Sequence, residues 1–186
     1  MDWEERYATY GRPFGEQPNA FVQQVMDDDS FSGVLGSGSR ILCPGDGYGR
    51  HGIALAQRGH RVVGLDISPT ATRDARDRAL GASVERDASG EYSARTADLS
   101  RGPYPLASGE VFDVVVSIWF RLPRRSARVS WNREAVRHLS ARGRILLVTG
   151  RRVTSVDDET GEWPDGISWK DHSTADEVRL LGQLLD

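Results

Sequence analysis

From Arg40 onward, short apolar runs alternate with amphipathic stretches, the order expected when strands and helices follow one another along a chain. Ile41 to Cys43 predicts a first strand entering a glycine-rich turn, and Ile53 to Gln57 a short helix stopped by Gly59. Arg61 to Leu65 predicts a second strand with Asp66 at its carboxyl end. Ser68 then has the character of an N-cap and Pro69 that of a first helical residue, opening a helix expected to reach about Leu80 and close at Gly81. Tyr92 to Ala97 is a weaker strand signal. Phe112 to Ile118, Phe-Asp-Val-Val-Val-Ser-Ile, is the strongest, apolar on both faces as a central parallel strand must be. Val129 to Leu139 predicts a helix with Val129, Arg133, Val136 and Leu139 near one face, ended by Gly143, and Ile145 to Thr149 a fifth strand. Five strands separated by helices predict an α/β fold with a doubly wound, mostly parallel, Rossmann-like sheet.

Residues 1–38 differ in pattern and are expected to form a helical lid or cap on an α/β domain spanning 39–186. Two short helices are predicted there, Asp2 to Tyr10 and one starting near Pro18, whose stripe is Phe21, Val22 and Val25. At the other end, Thr174 followed by Glu177 is a capping-box pattern, with Val178, Leu181 and Leu185 as the inward stripe of a terminal helix.

Composition narrows the class. Of the 186 residues, 38% are hydrophobic and 27% charged, which describes a globular rather than a disordered chain. The formal charge of −3 argues against a nucleic-acid partner. No run approaches the roughly 18 apolar residues of a membrane span, and the start lacks the features of a signal peptide, so a cytoplasmic protein is expected. The single cysteine, Cys43, excludes an internal disulfide, and the four histidines form no zinc pattern, so no metal is expected.

The candidate chemistry lies in Ile41-Leu-Cys-Pro-Gly-Asp-Gly-Tyr-Gly-Arg-His-Gly52. Gly45, Gly47 and Gly49 alternate directly after a strand, where the main chain can turn tightly and present its N–H groups to a ligand. Asp66, about twenty residues on at the next strand tip, is placed to accept the hydroxyls of a ribose. Two ligand classes compete. Gly47, Gly49 and Gly52 satisfy Gly-x-Gly-x-x-Gly, which would suit NAD(P) and an oxidoreductase. The frame beginning at Gly45 puts Asp46 inside the turn, where a carboxylate repels a pyrophosphate and suits the amino group of S-adenosylmethionine.

Taken in order, the motifs resemble the class I S-adenosylmethionine-dependent methyltransferases, and more narrowly the small bacterial branch of tellurite-resistance and thiopurine-type enzymes. Trp3, Arg6, Tyr7, Phe14-Gly15 and Pro18-Asn19 are similar to that branch's opening, and Gly45-Asp-Gly-Tyr-Gly-Arg-His51 to its glycine turn. Val63-Gly-Leu-Asp-Ile-Ser-Pro69, Ala97-Asp-Leu99, Phe112 to Pro123 and Ala141 to Leu147 resemble its later motifs. The resemblance implies S-adenosylmethionine as cofactor, with Gly45, Gly47 and Gly49 facing its methionine part and Asp46 near the ammonium. It further implies Asp66 on the ribose, Ile67 against the adenine, Asp98 and the Leu99 backbone receiving the adenine, and Ser117 and Ile118 bordering the sulfonium. A small-molecule acceptor, a thiol or a chalcogen oxyanion, would then lie against Trp3, Tyr7, Tyr10 and Phe14, with Arg12, Arg121 and Arg124 available to attract an anion.

The sequence departs from that pattern in two places. Arg121 stands where relatives often carry a histidine, and Arg is a poor proton acceptor, so no catalytic base is identified. His51 reads as structural or cofactor-lining, and His138 as a residue on a solvent-facing helix side. Nothing after the terminal helix reads as the last two strands of the family fold, which implies a C-terminally truncated sheet. A homodimer through the strand-five edge, or a weakly active or inactive dimerising relative, is the alternative expectation.

Overall fold

The computed structural model describes residues 2–31, 33–85 and 90–148. Five helices and five strands occur among them: α1 (Trp3–Tyr10), α2 (Ala20–Asp27), β1 (Arg40–Pro44), α3 (Gly52–Ala56), β2 (Arg61–Asp66), α4 (Pro69–Glu85), β3 (Glu91–Thr96), β4 (Phe112–Ile118), α5 (Arg125–Arg137) and β5 (Leu139–Val148). The strands form one parallel sheet in the order β3-β2-β1-β4-β5. This is the expected doubly wound α/β fold, and its topological switch point falls between β1 and β4, where ligands bind beyond the carboxyl ends of the strands. The terminal helix, its capping box, Thr149 and the missing-strand expectation lie outside the described residues. No helix among the described residues is long and apolar enough to cross a membrane.

The sheet separates two apolar layers. Leu42, Val63, Leu65, Val115 and Trp131 pack on one side, and Val22, Ile41, Leu55, Val62 and Val114 on the other. That two-sided burial follows from the alternation along β1 and β4, and Cys43 is a free, buried thiol within it.

Several expectations about elements need correction; Gly143, expected to end the helix before the fifth strand, lies inside β5, which begins at Leu139. Helix α2 begins at Ala20, because Asn19 rather than Pro18 provides the cap, accepting the Phe21 N–H at 2.9 Å. Its buried residues are Val22 and Val25, whereas Phe21 turns outward against Phe31. Helix α4 runs through Gly81 to Glu85, since an exposed helical glycine costs only about 1 kcal/mol and does not by itself end a helix. Helix α5 starts four residues before Val129 and buries Ala127, Arg128, Trp131, Asn132 and Ala135, not the face through Val129 and Arg133. His138, expected toward solvent, is 7% exposed at the end of α5, with ring nitrogens bonded to the Glu110 carbonyl and the Glu134 carboxylate.

Candidate active site

The chain leaves β1 through a turn in which Gly45, Gly47 and Gly49 all have positive φ. At Gly45 a Cβ would lie 2.5 Å from the Phe120 ring, and at Gly47 one would lie 2.6 Å from the Tyr7 hydroxyl oxygen. Both positions therefore need glycine for backbone conformation and for close approach. Phe120 follows β4 and Tyr7 belongs to α1, so the turn lies between two aromatic rings drawn from opposite ends of the described chain.

Asp66, at the tip of β2, is 6% exposed. Its carboxylate accepts the Gly47 N–H at 2.9 Å and the Ser68 N–H at 2.9 Å, tying strand two to the glycine turn and to the start of α4. Burial pushes its carboxyl up to about 6, against the opposing pull of those N–H groups. Beside it, Ile67 is 47% exposed, an apolar side chain left open at a strand end.

Asp46 departs from expectation. Its side chain is buried, accepting the Tyr92 hydroxyl at 2.9 Å and the Gly52 N–H at 3.2 Å. Tyr92 comes from β3 and passes over Gly64, whose lack of a side chain makes room for the pair. Burial first, and Asp46 second, hold the Tyr92 phenol well above its ordinary range. His51 sits with Nδ1 3.8 Å from the Asp46 carboxylate.

The other expected cofactor residues fall at the carboxyl edge of the sheet or just behind it. Asp98 accepts the Ser100 N–H at 2.9 Å and pairs with Arg101 at 2.9 Å. Leu99 and Ile118 bury their side chains in the two core layers. Ser117 lines a cavity of about 30 Å³ beneath α5, together with Phe120, Arg121, Trp131 and Asn132.

The expected acceptor residues separate into two groups. Trp3, Tyr7 and Phe14 form one aromatic cluster with Tyr48, the Trp3 and Tyr7 centroids being 5.8 Å apart. Arg121 lies apart from them, in the β4–α5 loop.

The aromatic cluster is held down by polar contacts that the sequence did not reveal. Glu4 accepts hydrogen bonds from the Ser68 hydroxyl and, at 3.1 Å and 2.5 Å, from the Thr70 N–H and hydroxyl; these bonds, Ser68 foremost, keep its carboxyl below the usual range. Arg12 forks onto Asp74 through two bonds of 2.8 Å. The Tyr48 hydroxyl donates to the Gly15 carbonyl at 2.8 Å. Tyr7 is thereby buried over Gly47, and burial followed by the nearby Asp66 raises its phenol above the ordinary value.

Phe120 and Trp119 were also missed. Trp119 is the one described non-glycine residue with positive φ, at 56°, and its N–H donates to the Val148 carbonyl at 2.7 Å. A bulky residue held in that region is a strained strand end of the kind found near ligand sites. The available signal was positional, since both residues directly follow the central strand at the switch point.

A family profile described as Methyltransferase domain matches residues 41–143. Among solved structures, a TehB-like SAM-dependent methyltransferase from Corynebacterium glutamicum is similar at 20% identity and a TM-score of 0.63, covering 97% of this chain and 82% of that one. Magnesium protoporphyrin IX methyltransferase from Synechocystis, with bound S-adenosylhomocysteine, is similar at 21% identity and a TM-score of 0.64, covering 97% and 84%. The CcbJ methyltransferase from Streptomyces caelestis is similar at 18% identity and a TM-score of 0.55, covering 77% and 59%. At these identities the structural likeness is one of fold. Comparison of the sequence with curated proteins gives no match.

Proposed function

The chain belongs to the methyltransferase-domain family, and from that premise we propose that it transfers the methyl group of S-adenosylmethionine to a small-molecule nucleophile, a thiol or a chalcogen oxyanion. The observation that carries this reading is the junction of Asp66 with the Gly47 N–H beside the positive-φ turn, a cradle that a Cβ would fill, at the carboxyl ends of adjacent strands. These residues suit a nucleoside with an amino-acid tail: a carboxylate for ribose hydroxyls, an exposed Ile67 for an adenine face, and N–H groups along the turn for the tail carboxylate.

When bound, S-adenosylmethionine supplies a methyl carbon activated by a positive sulfur, which keeps the electron pair of the broken C–S bond. The residues of this chain then have positioning roles. Asp66 exchanges its contact with Gly47 for the ribose, and Gly45, Gly47 and Gly49 admit the methionine part. Asp98 and the Leu99 backbone serve the adenine edge, and Ser117 borders the reacting centre. An acceptor that is already anionic needs no proton removed by the protein, which fits the absence of an identified base; alignment and exclusion of water are the protein's contribution.

Residues 1–38 act as a lid in this reading. Trp3, Tyr7 and Phe14 cover the glycine turn, and the Glu4 and Arg12 contacts with α4 hold them there. The test is turnover of methyl-labelled S-adenosylmethionine with a panel of thiol, selenide and oxyanion acceptors. Label in the product with one equivalent of S-adenosylhomocysteine is expected; no acceptor-dependent release of S-adenosylhomocysteine across the panel would contradict the reading.

A further inference from the structure

Apart from Ser117, the cavity beneath α5 has a lining that the cofactor reading does not use. Asn132 is 7% exposed, lines this cavity, and its Nδ2 has no hydrogen-bond partner among the described residues. A buried amide donor without a partner is destabilising, and a ligand bringing an acceptor oxygen would satisfy it. The rest of the polar lining is Ser117, Arg121 and Arg128, with no carboxylate among the lining residues. Arg128 closes the β4–α5 loop over the cavity by donating to the Leu122 and Pro123 carbonyls at 3.1 and 2.6 Å.

Charge along the chain points the same way. Between Arg121 and Arg144 there are eight arginines and one acid, Glu134, in a protein whose net charge is −3. The acidic balance therefore belongs to the remainder of the chain, and two of these arginines, Arg121 and Arg128, line the cavity itself. Such a concentration of positive charge draws anions.

We propose that this cavity, with Asn132 as its buried donor, binds the anionic head group of the methyl acceptor, a carboxylate or an inorganic oxyanion. The volume of about 30 Å³ admits about two water-sized centres, the room needed by the oxygens of one small head group rather than by a whole substrate. Phe120 lines the cavity and also packs against Gly45 of the glycine turn, so the anchored head group lies next to that turn. This rests on the methyltransferase reading for the identity of the anion as acceptor, but not for its binding.

The test is saturation-transfer NMR on the full chain, with formate and acetate as carboxylate probes, selenite as the inorganic oxyanion probe, and formamide and acetamide as neutral controls, at fixed ionic strength. Formate and acetate are monitored by their own protons, and selenite by displacement of formate. Spectra are recorded with and without S-adenosylhomocysteine, so loss of cofactor binding is scored separately from loss of anion binding. The anions should bind and the amides should not, and N132D, which keeps the side-chain shape, should raise the half-saturating anion concentration at least about tenfold with the thermal midpoint and S-adenosylhomocysteine affinity retained. N132L provides a second, uncharged removal of the donor and should weaken the same anions. Formate displaced by selenite in the wild type assigns both anion sources to one site, and bound formate that selenite does not displace assigns the carboxylate alone. Equal anion binding by wild type and both variants, or amides binding as well as the anions, would overturn the proposal.

Discussion

Replacing Asp66 by asparagine removes one negative charge from a nearly buried site while keeping the side-chain shape. The Asp66 carboxyl is pushed up to about 6 from 3.8, mainly by burial, so the folded chain holds that proton more tightly than the unfolded chain. Its stabilising contribution is present in full below about pH 4 and is lost as the pH rises through about 6. A difference of about 2 pH units corresponds to about 3 kcal/mol in all, of which about 2 kcal/mol falls between about pH 4 and pH 7.5. Asparagine does not titrate there. The variant also weakens the acceptor for the Gly47 and Ser68 N–H groups, but that loss shifts its stability by an amount that hardly depends on pH. Urea unfolding at about pH 4, 5, 6 and 7.5 and fixed ionic strength reads the slope directly. Relative to wild type, Asp66→Asn should gain about 2 kcal/mol across that range. Parallel pH profiles would refute the claim that burial raises this carboxyl.

Three further outcomes follow from the same geometry. Tyr92→Phe removes the hydroxyl that donates to Asp46 and should cost about 1 to 3 kcal/mol in urea unfolding, because a buried carboxylate loses a partner; an unchanged midpoint would place that carboxylate in water. Gly47→Ala should lose about 1 to 3 kcal/mol and its S-adenosylhomocysteine binding, since φ is +58° and the added methyl meets the Tyr7 hydroxyl; a stable variant with wild-type affinity would contradict the cradle. Glu4→Gln combined with Arg12→Ala should speed S-adenosylhomocysteine association in stopped flow without abolishing binding, whereas an unchanged association rate would show that α1 is not a lid.

The sheet was legible because its strands are bounded by local signals. Strand β4 occupies the apolar run Phe112–Ile118, and Ser68 caps α4 through the Ala71 N–H at 3.0 Å as its hydroxyl chemistry predicts. Helix α5 was misphased because its inward face includes Arg128 and Asn132, whose polarity disguises the helical stripe; Arg128 is buried with its guanidinium on loop carbonyls. The orientation of Asp46 was hidden for a different reason. Its partner Tyr92 lies 46 positions away, and only the parallel pairing of β2 with β3 brings that ring under the turn. The pairing of Asp66 with the glycine turn, by contrast, follows from adjacent strands and a spacing that a sequence can display.

The most direct measurement is calorimetric titration of S-adenosylhomocysteine and NADH into the full chain and into Asp66→Ala. One S-adenosylhomocysteine per chain should bind, NADH should give no binding heat, and Asp66→Ala should weaken the first ligand by about 1 to 3 kcal/mol, or about 5- to 150-fold, while remaining folded. NADH binding as tightly as S-adenosylhomocysteine, or an unchanged affinity in folded Asp66→Ala, would contradict the account.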